Sequence, residues 1–285
     1  MNLNQIYSDI KINFPNLEIY QNHPLFPYTT VKIGGPADIF IHTYNSDEFK
    51  KILEFILKNF GNWKLEIGNL ITIGNGSNVL ISDSGLRGLV IKNDSDDIEL
   101  LPENKIKVSS GTQLSSLINY SLDHNLLGLE EFAYIPSTIG GAIAGDIHGN
   151  NKNHFSKFID SVEKTNDFII SATLNLSSGD STSAKQEVQG IIQKKSQIQS
   201  MNSLGSVFKN KAGQNPTGMI IDQDLNLKGY SIGGAQISPN HGNFIINNGS
   251  ATAKDYLSLI NLIQSKAQEK LGFQFELEIK LLGDF

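Results

Sequence analysis

The chain has 285 residues, enough for two or three domains, and its 39% hydrophobic and 18% charged residues are typical of a globular protein. Its net charge of −6, without any basic patch, excludes a nucleic-acid binder, and no apolar run approaches the roughly 18 residues of a membrane helix. Cysteine is absent, which excludes disulfides, zinc–thiolate sites and cysteine nucleophiles, and residues 1–13 do not resemble a signal peptide, so we expect a cytoplasmic protein.

The first half of the chain alternates predicted strands with helices. Apolar residues at helical spacing predict an amphipathic helix over residues 46–60. The other elements expected here are a strand–turn–strand unit at residues 31–42, strands at 70–73, 89–91 and 106–108, a helix at 113–124 and a glycine-rich loop at 130–148.

The second half ends in a clear strand pattern. From residue 273 onward apolar and polar residues alternate, which is typical of a half-buried strand. The remaining expected elements are a strand at residues 168–176, a linker at 177–182 and helices at 184–195 and 255–270. This order predicts an α+β fold with a second domain in the C-terminal third.

Three loops combine glycine with small residues, at positions 34–37, 74–78 and 136–142. Glycine allows backbone amides to approach a phosphate closely, and consecutive amides can form an anion nest. Each loop taken alone is explained as well by a plain turn, and none has a Rossmann or Walker pattern. Three such loops beside apolar strands favour one extended ligand with a pyrophosphate, and a dinucleotide is the natural candidate.

Two side chains are candidates for chemistry, each with a simpler alternative. Ser206 follows a glycine and precedes two apolar residues, so it is either a turn serine or a proton donor. A serine hydroxyl donates a proton only to a strongly basic acceptor such as a carbanion. Glu278 lies on the polar face of the last predicted strand and would by that pattern be solvated. His148 and His154 lack the acidic residues between them that metal spacing would require.

The motifs, taken in order, resemble those of the UDP-N-acetylenolpyruvoylglucosamine reductase family. The first is Thr-Val-Lys-Ile-Gly-Gly-Pro-Ala-Asp at residues 30–38. Those that follow lie at residues 74–80, 85–88, 128–130, 135–142, 205–210, 227–230, 233–238 and 241–247. The resemblance covers roughly residues 25–285, and the link between a flavin-loop half and a Gly-Gly-Ala-Gln-x-Ser half is specific to this family.

The resemblance implies an FAD-binding domain of the vanillyl-alcohol-oxidase (PCMH) type, followed by a substrate-binding domain. The expected boundaries are residues 1–66 and 67–182 for two FAD subdomains and 183–285 for the substrate domain, whose last strand, 273–283, returns to the flavin. FAD would be held non-covalently, because no histidine lies in the loop at 74–80. A monomer with small-molecule partners is expected.

The resemblance also implies a reaction and its residues. NADPH would reduce FAD, and the enolpyruvyl ether of a UDP-sugar would then be reduced, with Ser206 as proton donor and Glu278 stabilising the intermediate. Lys209 and Asn210 would bind the substrate. The residues expected to contact FAD are Ile33, Gly34, Gly35, Gly74, Asn75, Gly76, Ser77, Asn78, Val79, Leu80, Pro136, Ser137, Thr138, Gly140, Gly141, Ala142 and His148.

The sequence departs from the family pattern in one interval. The family carries an arginine in a Tyr-Arg-x-Ser-like motif, but the only arginine here is Arg87, and residues 147–167 are so few that a hairpin with this motif is expected to be missing. A lysine could replace it, with Lys157, Lys164 and Lys209 as candidates. The Asp-Ile-His-Gly run at 146–149 resembles sugar oxidases of the same fold, such as decaprenylphosphoryl-ribose oxidase. A carbohydrate oxidase and a catalytically impaired flavin or nucleotide-sugar binder are therefore the alternatives.

Overall fold

The computed structural model describes residues 3–60, 69–149, 153–196, 202–211 and 213–285. The chain forms two compact units. The first unit consists of Met1–Tyr20, Ile39–Asn75 and Gly88–Lys195, and the second of Gln21–Asp38, Gly76–Arg87 and Ser196–Phe285. The domain boundaries expected from the sequence, at 66/67 and 182/183, stay predictions. Within the described ranges, no helix is both long and apolar enough to cross a membrane.

The helices and strands are as follows. The helices are α1 (Leu3–Asn13), α2 (Ser46–Phe60), α3 (Leu114–Asp123), α4 (Ile139–Ala144), α5 (Ser181–Ser196), α6 (Thr217–Met219) and α7 (Ala253–Leu271). The strands are β1 (Glu18–Pro24), β2 (Pro36–Thr43), β3 (Asn69–Ile73), β4 (Val79–Ile81), β5 (Leu86–Asn93), β6 (Ile98–Leu101), β7 (Lys105–Ser109), β8 (Leu126–Leu127), β9 (Ile159–Thr165), β10 (Phe168–Asn175), β11 (Ser177–Ser178), β12 (Ser203–Ser206), β13 (Ser231–Ile232), β14 (Ala235–Ile237), β15 (Phe244–Asn247) and β16 (Lys280–Leu282).

The first unit contains two apolar cores. In one, α1 and α2 cover strands of a four-stranded sheet of order β1-β2-β5-β3, in which β3 and β5 are parallel. In the other, α3, α4 and α5 pack around a four-stranded antiparallel sheet of order β6-β7-β10-β9. The amphipathic pattern of residues 46–60 and the apolar strands at 89–91 and 106–108 are thereby confirmed as elements that bury one face.

The second unit is built around α7 and an antiparallel sheet of order β12-β15-β14-β13. A separate two-stranded parallel pair joins β4 to β16, with Val79 opposite Lys280. α7 starts with a capping box between Thr252 and Asp255. The carboxylate of Asp83 also accepts hydrogen bonds from the N–H groups of Ala253 and Lys254, at 2.8 and 3.0 Å. The loop that contains Asp83 is thus anchored on the helix that forms the core of this unit.

The strand expected at the start of residues 31–42 is wrong, because β2 begins at Pro36. The backbone before it bonds to side chains instead of to a strand. The hydroxyl of Thr29 donates to the carbonyl of Ile33 at 2.9 Å and also accepts from its N–H, and the amide of Asn247 donates to the carbonyl of Val31 at 2.9 Å. Lys32 has a φ of 57°, which interrupts an extended chain.

The last predicted strand, 273–283, is extended but pairs over a shorter range. Strand pairing is limited to β16 and to an isolated bridge between Leu277 and Phe208. Phe275 bonds to a side chain instead: its carbonyl accepts from Gln264 at 2.7 Å and its N–H donates to Gln264 at 2.8 Å. Because this glutamine satisfies both backbone groups, the segment needs no neighbouring strand at that point.

β9 lies in the interval 147–167 and forms an antiparallel hairpin with β10, with Phe168 opposite Thr165. The absence of the hairpin that carries the family's arginine motif stays a prediction. Two further expectations need correction. The linker expected at 177–182 instead contains β11, which pairs with β8, and the start of α5. The predicted glycine-rich loop at 130–148 contains α4 and a 3-10 turn, Glu130–Phe132.

Tyr256 of α7 gives the first testable prediction. Its side chain is fully buried, and its hydroxyl has no hydrogen-bond partner among the described residues. An unsatisfied buried hydroxyl costs about 1–3 kcal/mol, so Tyr256→Phe is expected to raise the free energy of unfolding by about 1 kcal/mol, measured by urea denaturation. Tyr230→Phe, at an exposed tyrosine, is the control and should leave this value unchanged. A destabilised Tyr256→Phe would show that the hydroxyl has a partner.

Candidate functional site

In the first unit, the start of the loop at 74–80 lies directly against the loop at 136–142. The amides of Asn75 and Gln113 bond to each other in both directions, at 2.6 and 2.8 Å, and Asn75 also donates to the carbonyl of Pro136 at 3.3 Å. A Cβ on Gly74 would lie 2.3 Å from the hydroxyl oxygen of Thr138. Two of the loops predicted to hold one ligand are therefore neighbours.

The second of these loops is rigid, because its backbone groups are bonded within the protein. Thr138 is the N-cap of α4 and accepts from the N–H of Gly141 at 3.3 Å. The N–H of Gly140 donates to the carbonyl of Ser110 at 2.7 Å, and that of Ala142 to Thr138 at 2.8 Å. Ser137 donates its hydroxyl proton to the carbonyl of Thr138 at 2.9 Å. This loop offers a fixed surface of small residues rather than a row of free donors.

His148, the other predicted cofactor contact in this unit, is exposed. It forms an isolated bridge with His154, and the two rings lie 6.0 Å apart. His154 bonds to the carboxylate of Asp146 at 2.9 Å. No group of three or more histidine, aspartate or glutamate side chains in the described part of the chain is placed to hold a metal ion.

In the second unit, the rest of the loop at 74–80 presents free backbone donors. Gly76 has a φ of 57°, and a Cβ there would lie 2.4 Å from the carbonyl oxygen of Tyr28, so only glycine fits. The N–H groups of Gly76, Ser77 and Asn78 find no acceptor among the described residues. Val79 and Leu80 continue into β4. Three consecutive unpaired amides are the feature that an anion nest requires.

The loop at 33–35, also predicted to bind the cofactor, has a different arrangement. The N–H of Gly35 donates to Ser82 at 2.9 Å, and its carbonyl accepts from Leu25 at 3.1 Å. A Cβ on Gly35 would lie 2.2 Å from the carbonyl oxygen of Asp83. Gly34 approaches Ile81 closely. Close packing against neighbouring residues therefore explains why glycine occupies both positions.

Ser206 ends β12 and is half-buried. Gly205 before it has a φ of 73°, and the pairing of β12 with β15 is irregular between Ser203 and Ser206. The segment after Ser206 is held by Asn243, which is buried: its amide donates to the carbonyl of Phe208 at 2.7 Å and accepts from the N–H of Phe208 at 3.0 Å. This two-way bond fixes the backbone that follows the serine.

Glu278 is brought to this same segment by its backbone. Its N–H donates to the carbonyl of Val207 at 2.9 Å, and its carbonyl accepts from the side-chain amide of Asn78 at 3.3 Å. Burial raises the pKa of the Glu278 carboxyl, and the charge of Lys209 opposes that rise. Glu278 is thus half-buried rather than solvated, contrary to the simplest interpretation of its strand position.

The two predicted substrate contacts, Lys209 and Asn210, are exposed and already have protein partners. Lys209 forms an ion pair with Glu276 at 2.5 Å. The side-chain oxygen of Asn210 accepts from the N–H of Thr217 at 2.8 Å, at the start of α6. The structure therefore places Ser206, Lys209, Asn210 and Glu278 around one paired stretch of backbone in the second unit.

Three amide side chains that position these loops were not singled out from the sequence: Gln113, Asn243 and Asn247. Asn247 is buried and bonds to the carbonyl of Val31 and to the N–H groups of Gly249 and Ala251. Asn243 and Asn247 lie within the motif at 241–247, so the signal was present as part of a larger pattern. The local sequence does not distinguish an asparagine whose side chain bonds to distant backbone from an asparagine in an ordinary turn.

Comparison with known proteins defines the class first. A family profile described as an FAD binding domain matches residues 39–166, and one described as the C-terminal domain of UDP-N-acetylenolpyruvoylglucosamine reductase matches residues 169–282. The chain is therefore a flavoprotein that combines an FAD-binding domain with the C-terminal domain of that reductase. It belongs to the UDP-N-acetylenolpyruvoylglucosamine reductase family, as two relatives of nearly equal length demonstrate.

The UDP-N-acetylenolpyruvoylglucosamine reductase of Caldanaerobacter subterraneus subsp. tengcongensis is 32% identical over 294 residues, covering 94% of each chain. That of Halalkalibacterium halodurans is 33% identical over 297 residues, covering 94% of this chain and 95% of the relative. The crystal structure of the enzyme from Thermus caldophilus matches with a TM-score of 0.75 and 27% identity, over 94% of this chain and 99% of that one. The expected fold, FAD cofactor and family are confirmed.

The close contact at Gly74 gives a prediction for FAD binding. Gly74→Ala would push Thr138 from its capping position, and overpacking of this kind costs about 1–3 kcal/mol. We expect the dissociation constant of FAD, measured by flavin fluorescence, to rise about ten-fold or more. Gly190→Ala in α5, where a Cβ meets nothing within 4 Å, is the matched control and should retain wild-type affinity. Equal FAD affinity in both variants would contradict a role of this contact.

Proposed function

We propose that the protein reduces the enolpyruvyl ether of UDP-N-acetylglucosamine enolpyruvate to UDP-N-acetylmuramate, with NADPH as reductant, in peptidoglycan precursor synthesis. Family membership over nearly the whole chain supports this substrate and reaction. The observation from the structure that carries the proposal is the hydrogen bond between the N–H of Glu278 and the carbonyl of Val207, at 2.9 Å. This hydrogen bond joins the segment that follows Ser206, the proposed proton donor, to Glu278, the glutamate expected to act with it.

The FAD site fits the residues that this chain presents. Gly76, Ser77 and Asn78 would offer their unpaired N–H groups to the pyrophosphate. Thr138, Gly140 and Gly141, in the small-residue loop of the first unit, are predicted cofactor contacts within the same proposal. The other predicted contacts, including His148, Ile33 and Gly35, belong to the same proposal. FAD, when bound, carries hydride from NADPH to the vinyl carbon of the substrate.

Ser206 would complete the reduction by protonation. Hydride addition at the terminal vinyl carbon leaves negative charge on the neighbouring carbon, beside the substrate carboxylate. The hydroxyl of Ser206 gives its proton to that carbon, and the resulting alkoxide recovers a proton from water. A carbon that carries this charge is basic enough for a serine to act as its acid. Glu278 and a cation would stabilise the substrate's carboxylate region during the transfer.

The charge pairs in the structure suggest which cation would replace the missing family arginine. Arg87 is paired with Asp38 at 2.9 Å. Of the candidate lysines, Lys209 is the one whose charge acts on Glu278. We assign the role of the missing arginine to Lys209. Asn210 would bind the substrate diphosphate through the side-chain N–H groups, because the side-chain oxygen is engaged by Thr217.

The setting of this activity is part of the proposal. We propose a cytoplasmic monomer whose partners are the UDP-sugar and NADPH, without nucleic-acid or membrane partners. A carbohydrate oxidase is disfavoured by the C-terminal reductase domain, which spans residues 169–282.

Anaerobic NADPH should bleach the flavin absorbance and the enolpyruvyl sugar nucleotide should restore it. Restoration by a sugar in the presence of oxygen, with release of peroxide, would instead establish the oxidase, and tight sugar-nucleotide binding without reoxidation would establish the impaired binder.

Ser206→Ala separates the two half-reactions. Bleaching of the flavin by NADPH is expected to stay within two- to three-fold of wild type, because the serine takes no part in that step. Reoxidation by the enolpyruvyl substrate should slow by about 10²–10⁴-fold, the usual contribution of a general acid, in anaerobic stopped-flow measurements. Ser231→Ala, at an exposed serine of β13, is the control. Loss of both half-reactions in equal measure would argue against Ser206 as the proton donor.

A further inference from the structure

Residues 276–278 of the last predicted strand pair with residues 207–209, which follow Ser206. Glu276 and Lys209 face each other in this pairing. The N–H of Lys209 donates to the carbonyl of Glu276 at 2.9 Å, and the N–H of Glu278 donates to Val207 at the same distance. Phe208 and Leu277 form an antiparallel bridge between these two bonds. The side chains of Lys209 and Glu276 close an ion pair at 2.5 Å.

The same pairing makes Lys209 a neighbour of two carboxylates. Side chains two positions apart on an extended chain point to the same side, which places Glu276 and Glu278 together. Lys209 is directly opposite Glu276 and diagonal to Glu278, and both separations are within reach of a long side chain. The charge of Lys209 acts on Glu278 in the direction that favours the ionised carboxylate.

The two carboxylates differ in their environments. The side chain of Glu276 is 74% exposed, whereas Glu278 is half-buried, and burial raises its pKa. In the described part of the chain, Lys209 is the charged group that acts on Glu278. The side-chain amide of Asn78 bonds to the backbone carbonyl of Glu278 at 3.3 Å. Glu276 therefore competes with Glu278 for one lysine.

We propose that Glu276 is a positioning residue: by holding Lys209 in an ion pair, it limits how much of the lysine's charge reaches Glu278 and so sets the protonation of Glu278 at the working pH. This inference rests on the proposed function, because Glu278 has its role only in that reaction. An exposed ion pair by itself contributes about 0–1 kcal/mol to stability, so a purely structural reason for the pair is weak.

The proposal predicts shifts of opposite sign for the two partners. Removing the Glu276 charge frees Lys209, and the freed ammonium lowers the pKa of Glu278. Removing the Lys209 charge raises the pKa of Glu278. A lysine that serves only to bind a substrate anion would instead change the KM of the substrate and leave the pH profile in place.

The experiment is the pH profile of flavin reoxidation by the enolpyruvyl sugar nucleotide, in single turnover with the FAD-loaded protein. Glu278→Gln first identifies the limb of the profile that belongs to Glu278, because that limb disappears in this variant. Glu276→Gln is expected to move the limb to lower pH and Lys209→Met to higher pH, while Lys209→Arg keeps it near the wild-type position. Glu269→Gln, at an exposed glutamate paired with Lys266 at 2.9 Å, is the matched control and should not move it.

The outcomes separate this inference from the proposed function. If wild-type protein is bleached by NADPH but not reoxidised by the enolpyruvyl substrate, the proposed function fails. If wild-type protein turns over but has no limb that Glu278→Gln removes, the inference alone is overturned. It is also overturned if Glu276→Gln leaves the limb in place, or if both charge-removing variants move it in the same direction.

Discussion

The backbone of the last segment, residues 276–282, must find partners for its polar groups, and the second unit depends on how it does so. Lys209 and Val207 pair with one end, the amide of Asn78 bonds to the middle, and β4 pairs with the other end. A buried N–H or carbonyl without a partner costs free energy comparable to a lost hydrogen bond, so these pairings are obligatory. They bring the serine segment, the glutamate and the end of the flavin loop to one strip of chain.

Side-chain amides make this arrangement possible where no strand is available. Asn243 holds Phe208, Asn247 holds Val31, and Gln264 holds Phe275, each through both its donor and its acceptor or through several contacts. An amide offers both functions at a fixed separation, which imitates the edge of a neighbouring strand. The chain can therefore bend at Ser206 and run extended before Glu278 without leaving buried polar groups unpaired. The candidate site in the second unit is therefore built on irregular backbone that these side-chain hydrogen bonds hold in place.

Sequence patterns predicted the elements that repeat with a period, and they missed those fixed by single side chains. The helices at 46–60 and 255–270 bury faces of helical spacing, and the structure confirms both. The strand expected at 31–33 is absent, and the strand expected across 273–283 pairs over only part of its length, because alternation indicates burial and not pairing. Family motifs located Ser206 and Glu278, but their proximity comes from pairing across some 70 residues of sequence. Hydrogen bonds between side chain and backbone leave no periodic signal, which is why Asn243 was not predicted.

The charge balance around Glu278 depends on Lys209, which carries an ammonium group rather than a guanidinium. A guanidinium grips a carboxylate through two parallel hydrogen bonds and keeps a fixed orientation, whereas an ammonium is a point charge on a flexible stem. A point charge can be divided between neighbours, and Lys209 has two of them within reach of one paired segment. Because Glu276 is exposed and Glu278 is half-buried, water weakens the attraction of the first more than that of the second. If Glu276 positions Lys209 as proposed, salt that screens the charge on Glu276 would shift the lysine toward Glu278, and salt as well as pH would then control the state of that carboxylate.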